Sequence, residues 1–225
     1  MTFSLIARCG RTGQFGSAVV SSSPAVAARC AFARAGVGAV TTQNVTDPRL
    51  GPAALDLLAR GATAAETVAI VQRTASFVQY RQVTVLGVAG PGAVWSGAQA
   101  LGVNAQAVGE NSLSAGNLLA DPGVPQTIVS AFETSDPGLE LAERILCALE
   151  AGLAAGGEAG PVHSAGMVVV ATEAWPLVDL RVDWDEKPLE RLRAAWTCWQ
   201  PQMYDYVNRA LRPEQAPSYG VPGDE

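Results

Sequence analysis

The amino end of the chain contains two short runs in which apolar and polar side chains alternate. Residues 2–8 (TFSLIAR) and 17–21 (SAVVS) have the period expected of strands, and residues 10–16 between them contain three glycines. This pattern predicts a β-hairpin. Because a residue in a paired strand is held in place, whereas most chain ends fray, we expect Thr2 to be ordered.

Further along the chain the hydrophobic period changes between about four, typical of helices, and two, typical of strands. Helical spacing predicts helices between Pro52 and Gly61 and at 63–74, 122–132, 139–153 and 188–211. The second of these begins with Thr63 and Glu66 in the arrangement of a capping box. Strands or extended segments are predicted at 39–43, 82–87, 93–96, 107–119, 167–171 and 177–182.

The order of these elements favours an α+β fold. Strands come in runs and helices in pairs, which fits neither strict alternation of strand and helix nor a single sandwich of sheets. We therefore expect a four-layer αββα sandwich, in which two mainly antiparallel sheets pack face to face and helices cover the outer faces. Residues 1–211 would form this single domain. The Pro/Gly-rich residues 212–225 have no core-forming pattern and are expected to form a loosely ordered tail.

Composition and charge limit the classes of function. Of the 225 residues, 48% are hydrophobic and 16% charged, which is enough to build a substantial core. A net charge of −6 and a pI near 4.9, without any basic run, argue against nucleic acid as a partner. No apolar segment approaches the roughly 20 residues that cross a bilayer, so we expect a cytoplasmic protein that does not act on membranes.

The four cysteines Cys9, Cys30, Cys147 and Cys198 are far apart and form no C-x-x-C pair. This spacing is typical of reduced core thiols rather than of a metal site or a disulfide scaffold, so we expect no metal and no other cofactor. An acidic, apolar-rich chain whose last helix has exposed tryptophans is compatible with a homo-oligomer.

Thr2 directly follows the initiator methionine, and this position suggests a catalytic role. The enzyme that removes Met1 requires a small second residue and accepts threonine. A terminal threonine supplies both a hydroxyl that attacks a carbonyl and an α-amine that takes the proton, so it needs no histidine. This matters because His163 is the only histidine in the chain. Thr2 is therefore the candidate nucleophile.

Motifs from nearly the whole length of the chain add to this picture. They are TFSLIAR at 2–8, ARAGVGAV at 33–40 followed by Thr42 and Gln43, P-x-x-G-P at 48–52, RQV at 81–83, Gly116-Asn117, and VDLRVD at 178–183. Together these motifs resemble the family labelled domain of unknown function 1028. That family is grouped with the N-terminal nucleophile (Ntn) hydrolases, which have an αββα fold and cleave amide bonds with an N-terminal Thr, Ser or Cys. The chain departs from the family pattern at Cys9, Ser22 and His163.

The resemblance and the position of Thr2 together imply a hydrolase of amide (C–N) bonds that acts on a small molecule or an acylated amino acid. We expect the Thr2 hydroxyl to attack the carbonyl, and backbone N–H groups or the Asn117 amide to stabilise the oxyanion. The residues expected to orient the amine or to bind substrate are Ser21, Arg34, Thr42, Gln43 and Gly116. Arg34 is the candidate to bind a substrate carboxylate through two parallel hydrogen bonds.

Two alternatives stay open at this point. The fold can have kept its shape without catalysis and serve as a ligand-binding or assembly protein, because a retained Met1 would acylate the amine that should act as base. A conventional hydrolase using Ser164 or a cysteine with His163 is less favoured, because the sequence has no G-x-S-x-G turn.

Overall fold

Ten strands form two antiparallel sheets in the part of the chain that the computed structural model describes, residues 2–223. The strands are β1 (Thr2–Arg8), β2 (Phe15–Ser21), β3 (Ala31–Arg34), β4 (Gly38–Asn44), β5 (Arg81–Gly87), β6 (Ala93–Ser96), β7 (Ala105–Val108), β8 (Ser112–Asn117), β9 (Ser164–Val170) and β10 (Val178–Val182). The six-stranded sheet has the order β10-β9-β2-β1-β8-β7, and the four-stranded sheet has the order β3-β4-β5-β6. Strand β1 therefore lies inside the larger sheet, with a hydrogen-bonded neighbour on each side.

The helices lie on the outer faces of the two sheets, except for the first, which packs against Val19 on the inner face of β2. They are α1 (Ala27–Cys30), α2 (Leu50–Ala59), α3 (Ala64–Thr74), α4 (Val124–Glu133), α5 (Leu141–Ala154), α6 (Pro188–Trp199) and α7 (Met203–Leu211). Phe3 and Leu5 of β1 pack in one apolar core with Ile145 of α5. Val40 and Val83 of the smaller sheet pack with residues of α2 and α3. This arrangement confirms the predicted α+β fold with four αββα layers.

The side chains between the two sheets change from apolar to polar along the strands. At one end, Ile6, Phe15, Ala39, Leu86 and Leu113 form a buried apolar cluster. In the middle, the hydroxyl of Ser17 donates to the carbonyl oxygen of Val40 at 3.1 Å and so links the sheets. Thr2 lies at the other end, so its side chain is in the polar part of the space between the sheets.

Most predicted elements are confirmed, including the amino-terminal hairpin and the capping box, in which the Glu66 backbone N–H donates to Thr63 Oγ1 at 3.2 Å. The prediction of a single helix at 188–211 is wrong, because a 3-10 turn at Gln200–Gln202 separates α6 from α7. Pro201 accounts for the break, since proline has no N–H to donate and its ring clashes with the preceding turn of an α-helix.

The segment predicted as extended at 107–119 is a hairpin, because Gly109 donates to the carbonyl oxygen of Ser112 at 2.8 Å and reverses the chain. Residues 27–34, for which no element was predicted, form α1 and β3.

Two expectations about exposure are also wrong. Trp196 is buried and its indole N–H donates to Glu143 at 2.6 Å, because α6 turns this face toward the larger sheet and α5. Cys9 and Cys30 are buried as expected of core thiols, whereas Cys147 and Cys198 lie on exposed helix faces. The expectation of a homo-oligomer therefore loses the support of an exposed Trp196 and stays a prediction.

Two predicted features fall partly outside the described residues. Met1, whose removal is predicted, lies outside them, as do Asp224 and Glu225 at the end of the predicted tail. Within the described part of the tail, the Tyr219 ring packs over the Arg209 guanidinium at 3.9 Å.

Within residues 2–223, no helix combines the length and the apolar character that crossing a membrane requires.

The close approach of the central strands in the smaller sheet leads to a testable prediction. A Cβ added at Gly38 would lie 2.3 Å from the Leu86 carbonyl oxygen, which is backbone and cannot move away freely. A Cβ at the paired Gly87 would meet only the Leu58 side chain, at 3.3 Å. We expect Gly38→Ala to lower the free energy of unfolding by about 2 kcal/mol and Gly87→Ala to change it by less than about 1 kcal/mol. Urea unfolding of both variants measures this, and equal losses would contradict it.

Candidate active site

The amino end of β1 is held from both sides. Thr2 pairs with Asn117 of β8 and Phe3 pairs with Val20 of β2, so the first described residues lie inside a sheet. Thr2 is buried, with 5% of its surface exposed. Because side chains alternate between the two faces of a strand, the packing of Phe3 against the helices places the Thr2 side chain between the sheets.

The Thr2 hydroxyl contacts a second hydroxyl. Its Oγ1 lies 3.3 Å from Ser21 Oγ, and either oxygen can be the donor. Ser21 Oγ also accepts a hydrogen bond from the backbone N–H of Ser23 at 3.1 Å. The Ser21 hydroxyl is thereby fixed beside Thr2, as the sequence predicts for a residue on the strand paired with β1.

Three amide side chains, Gln43, Gln82 and Asn117, meet next to Thr2, and we call them the amide cluster. All three are fully buried. Gln43 Nε2 donates to Gln82 Oε1 at 2.6 Å, and Asn117 Nδ2 donates to the same oxygen at 3.3 Å. The cluster therefore joins β4 and β5 of one sheet to β8 of the other.

Backbone carbonyls fix the orientation of the amides, because a carbonyl oxygen only accepts hydrogen bonds. Gln43 Nε2 donates to the Ala115 carbonyl at 3.0 Å, and Gln82 Nε2 donates to the Gly116 carbonyl at 3.1 Å. In this orientation, Gln43 Oε1 and Asn117 Oδ1 are buried and accept no hydrogen bond within residues 2–223. A buried acceptor without a donor costs about 1–3 kcal/mol. Two such acceptors beside a hydroxyl are suited to a ligand that brings N–H or O–H groups.

The backbone bends sharply where two strands leave the amide cluster. Asn44, which follows Gln43, has φ of 69°, and Leu118, which follows Asn117, has φ of 50°. Both values are in the left-handed region, which is unfavourable for leucine by about 1–3 kcal/mol. Strands β4 and β8 therefore end abruptly at the site.

Glu158 is a buried carboxylate beside the same end of β1. Both carboxylate oxygens accept the backbone N–H of Ser22, at 3.1 and 3.2 Å, and only 4% of the residue is exposed. Burial raises the pKa of Glu158 to about 7, and the charge of the amino terminus and hydrogen bonds from Ser22 act in the opposite direction. Its ordinary value is 4.5, so this carboxyl changes charge near neutral pH.

The remaining predicted residues are placed differently. Gly116 contributes its carbonyl oxygen to the amide cluster. Thr42 alternates with Gln43, so its side chain is on the helix face of β4, where it contacts Thr46. Arg34 ends β3 and pairs with Gly38, which begins β4, whereas Gln43 lies near the other end of β4. The Arg34 guanidinium forms a half-exposed ion pair with Asp56 at 2.9 Å. The structure thus brings Thr2, Ser21, Gln43, Gly116 and Asn117 together but not Thr42 or Arg34.

The Ser164 and His163 alternative finds no catalytic pair within residues 2–223. Ser164 Oγ donates to the Ser23 carbonyl at 2.5 Å and accepts from the Val26 N–H at 3.2 Å, so it stabilises a turn. The His163 ring stacks on Trp184 with a centroid distance of 4.4 Å.

Gln82 and Glu158 are not among the residues predicted from the sequence. Gln82 could have been found, because the alternation at 82–87 puts it on one face of β5 with Thr84, and β5 pairs with β4. Glu158 lies in a glycine-containing segment between α5 and β9 without any period, so no pattern pointed to it.

The amide cluster predicts unequal effects for two nearly isosteric substitutions. Gln82→Met removes the shared acceptor and leaves several buried groups without partners, so we expect it to lower the free energy of unfolding by about 2–3 kcal/mol. Asn117→Leu removes an acceptor that had no donor, so we expect a change of less than about 1 kcal/mol. Urea unfolding measures both. Equal losses would mean that Asn117 Oδ1 is well satisfied.

The raised pKa of Glu158 predicts how stability depends on pH. The folded protein binds this proton more tightly than the unfolded chain, so the stabilisation is present below about pH 4.5 and is lost as the pH rises to about 7. Relative to Glu158→Gln, the wild-type free energy of unfolding should fall by up to about 3 kcal/mol over that window. Urea unfolding at several pH values tests this, and parallel curves for the two proteins would contradict it.

The sequence and the fold of this chain are similar to those of known proteins. A model of the "Family of unknown function (DUF1028)" matches residues 2–192. The crystal structure of protein SPO2555 from Silicibacter pomeroyi, described with the same family, is 26% identical and aligns with a TM-score of 0.83 over 92% of this chain and 90% of that one.

More distant structures share little beyond a general likeness. Anbu (ancestral beta-subunit) from Yersinia bercovieri is 11% identical, with a TM-score of 0.40 over 91% of this chain and 97% of that one. An Anbu (Gly-1) mutant from Hyphomicrobium sp. strain MC1 is also 11% identical, with a TM-score of 0.43 over the same shares. No curated protein gave a significant match. The family match spans most of the chain and includes Thr2, Ser21 and the amide cluster, so this protein belongs to the family of unknown function DUF1028.

Proposed function

We propose that this protein is an amide hydrolase of the Ntn kind, with Thr2 as nucleophile after Met1 is removed. The observation that supports this most is the contact of 3.3 Å between Thr2 Oγ1 and Ser21 Oγ, on a residue that begins a central strand. A nucleophile must be held in one place to attack a carbonyl, and pairing on both sides of β1 does this.

The proposed reaction has two steps. In the first, the Thr2 Oγ1 proton passes to the α-amine of the same residue while Oγ1 forms a bond to the amide carbon. The C–N bond then breaks, the leaving nitrogen takes the proton, and an ester of Thr2 remains. In the second step water attacks this ester, its proton passes to the amine and then to Oγ1, and the carboxylic acid is released.

Asn117 has a donor for the oxyanion. One hydrogen of Nδ2 points to Gln82 Oε1, and the amide group carries a second hydrogen that this bond does not use. We assign the second hydrogen to the negative charge that develops on the carbonyl oxygen, a contribution of about 3 kcal/mol where a single such donor has been removed from a hydrolase. Ser21 and Gln43 would orient the substrate or the amine.

The buried acceptors indicate which substrates fit. Gln43 Oε1 and Asn117 Oδ1 require donors, and the N–H groups of an amide, a lactam or an acylated amino acid supply them. A small molecule is favoured, because Thr2 is only 5% exposed between the sheets.

A second candidate function is ligand binding without catalysis. The low exposure of Thr2 is the observation that favours it, since attack on a substrate requires access to the hydroxyl. Retention of Met1 would have the same consequence, because the amine would be an amide nitrogen and could not act as base. The intact mass of the purified protein shows directly whether Met1 is removed.

The decisive experiment uses protein whose first residue is Thr2, prepared from a cleavable amino-terminal fusion. It is assayed against small amides, lactams and acylated amino acids, and mass spectrometry follows any acyl group on the amino-terminal peptide. We expect turnover to fall by at least about 10³-fold in Thr2→Ala and to be largely retained in Thr2→Ser.

Ser4→Ala is the matched control, because Ser4 is the next residue of β1 on the same face and its hydroxyl donates to the Ala115 carbonyl at 3.4 Å. Full activity of Thr2→Ala would exclude Thr2 as nucleophile. Folded protein that begins at Thr2, binds a member of the panel and never turns it over would favour the binding function.

A further inference from the structure

Three separate contacts place Glu158 at the amino end of β1. Its carboxylate accepts the N–H of Ser22, the residue after the one that contacts Thr2. Glu158 also forms an isolated β-bridge with Leu119, two residues after Asn117, which pairs with Thr2. The preceding Gly157 is so close to Phe3 that an added Cβ would lie 3.3 Å from the ring.

The surroundings of Glu158 contain few charges. The elements that pack against it contribute Ser22 from the end of β2, Leu119 from the end of β8 and Gly157 from the end of α5, none of which titrates. No ion pair formed by side chains within residues 2–223 involves Glu158. Burial raises the pKa of Glu158, and the charge of the amino terminus lowers it.

A buried carboxylate normally has a charged partner or several hydrogen bonds, because burial of an isolated charge is costly. Glu158 has the Ser22 N–H, but among residues 2–223 no cationic side chain forms an ion pair with it. A cation that arises at the amino end of β1 would complete its surroundings.

We propose that Glu158 is the positioning residue for the α-amine of Thr2: once Thr2 is the first residue, the carboxylate binds this amine and orients it toward the Thr2 hydroxyl. The inference rests on the proposed function only in requiring that Met1 be removed. The carboxylate and the amine then form a pair that shares one proton.

Proton sharing gives the ammonium an acceptor for its proton near neutral pH, while the charge of the carboxylate raises the pKa of the amine. An ordinary α-amine has a pKa of about 7.7–8.0 and is mostly protonated at pH 7. The pKa of Glu158 is close to that range, so the ammonium can pass its proton to the carboxylate and become neutral. The neutral nitrogen then takes the Thr2 hydroxyl proton, and Glu158 holds the proton that the ammonium released.

The experiment measures the α-amine itself and needs no substrate. Full-length protein that begins at Thr2 is treated with acetic anhydride over a range of pH, and mass spectrometry of the amino-terminal peptide gives the rate at which the amine is acetylated. We expect Glu158→Gln to lower the apparent pKa of the amine by about 1 unit or more, because removal of a nearby negative charge disfavours the ammonium. The acetylation rate at pH 7 should rise accordingly, by up to about tenfold.

Glu133→Gln is the matched control. Glu133 also binds a backbone N–H, that of Asn111 at 2.8 Å, but at the opposite end of β8, and its substitution should leave the amine pKa unchanged. An amine pKa that is the same in wild type and folded Glu158→Gln would overturn the proposal. If Glu158→Gln does not fold, the acetylation rate of the wild-type amine against pH is decisive. A single titration step at the ordinary pKa of an α-amine would overturn the proposal, and two steps would support it.

This outcome is independent of the proposed function. A Glu158-dependent amine in a protein that hydrolyses nothing would keep the positioning role and reject the hydrolase. Turnover that depends on Thr2, together with an amine that is insensitive to Glu158, would keep the hydrolase and reject the positioning role.

Discussion

The hydrogen bonding of β1 along both of its edges is the constraint on which the site depends. It fixes Thr2 opposite Asn117 and keeps Phe3 in the core beneath α4 and α5. A shift of this strand by one residue would move Thr2 to the helix face and Phe3 between the sheets, which would bury a hydroxyl in an apolar core. The register of one strand therefore determines both the packing of the larger sheet and the position of the candidate nucleophile.

Unfavourable features are concentrated around Thr2. Two amide oxygens without donors, a leucine in the left-handed region at 118 and the buried carboxylate of Glu158 all lie there. The apolar cluster at the other end of the space between the sheets compensates for this, because its residues lose little on burial. Such a distribution is typical of proteins that keep a binding or catalytic site at the expense of local stability.

The order of the layers and the strand positions of most site residues could be predicted from sequence, because they depend on the local period of apolar and polar side chains. Alternation along β1, β2 and β8 places Thr2, Ser21 and Asn117 correctly. The orientation of β4 was ambiguous, since Thr42 and Gln43 are both polar and only tertiary packing decides which faces the helices. Glu158 could not be found, because its position depends on the path of a segment without secondary structure, and Pro201 was overlooked within an otherwise helical pattern.

The apolar cluster also closes one end of the space between the sheets. Ile6, Phe15 and Leu113 fill the far end of the space between the sheets, and Arg8 spans it by donating to the carbonyl oxygens of Gly87 and Gly90 at 3.2 and 2.9 Å. The space between the sheets is therefore filled at the end remote from Thr2. A molecule that approaches the Thr2 hydroxyl is thus blocked from the Arg8 end of the sandwich.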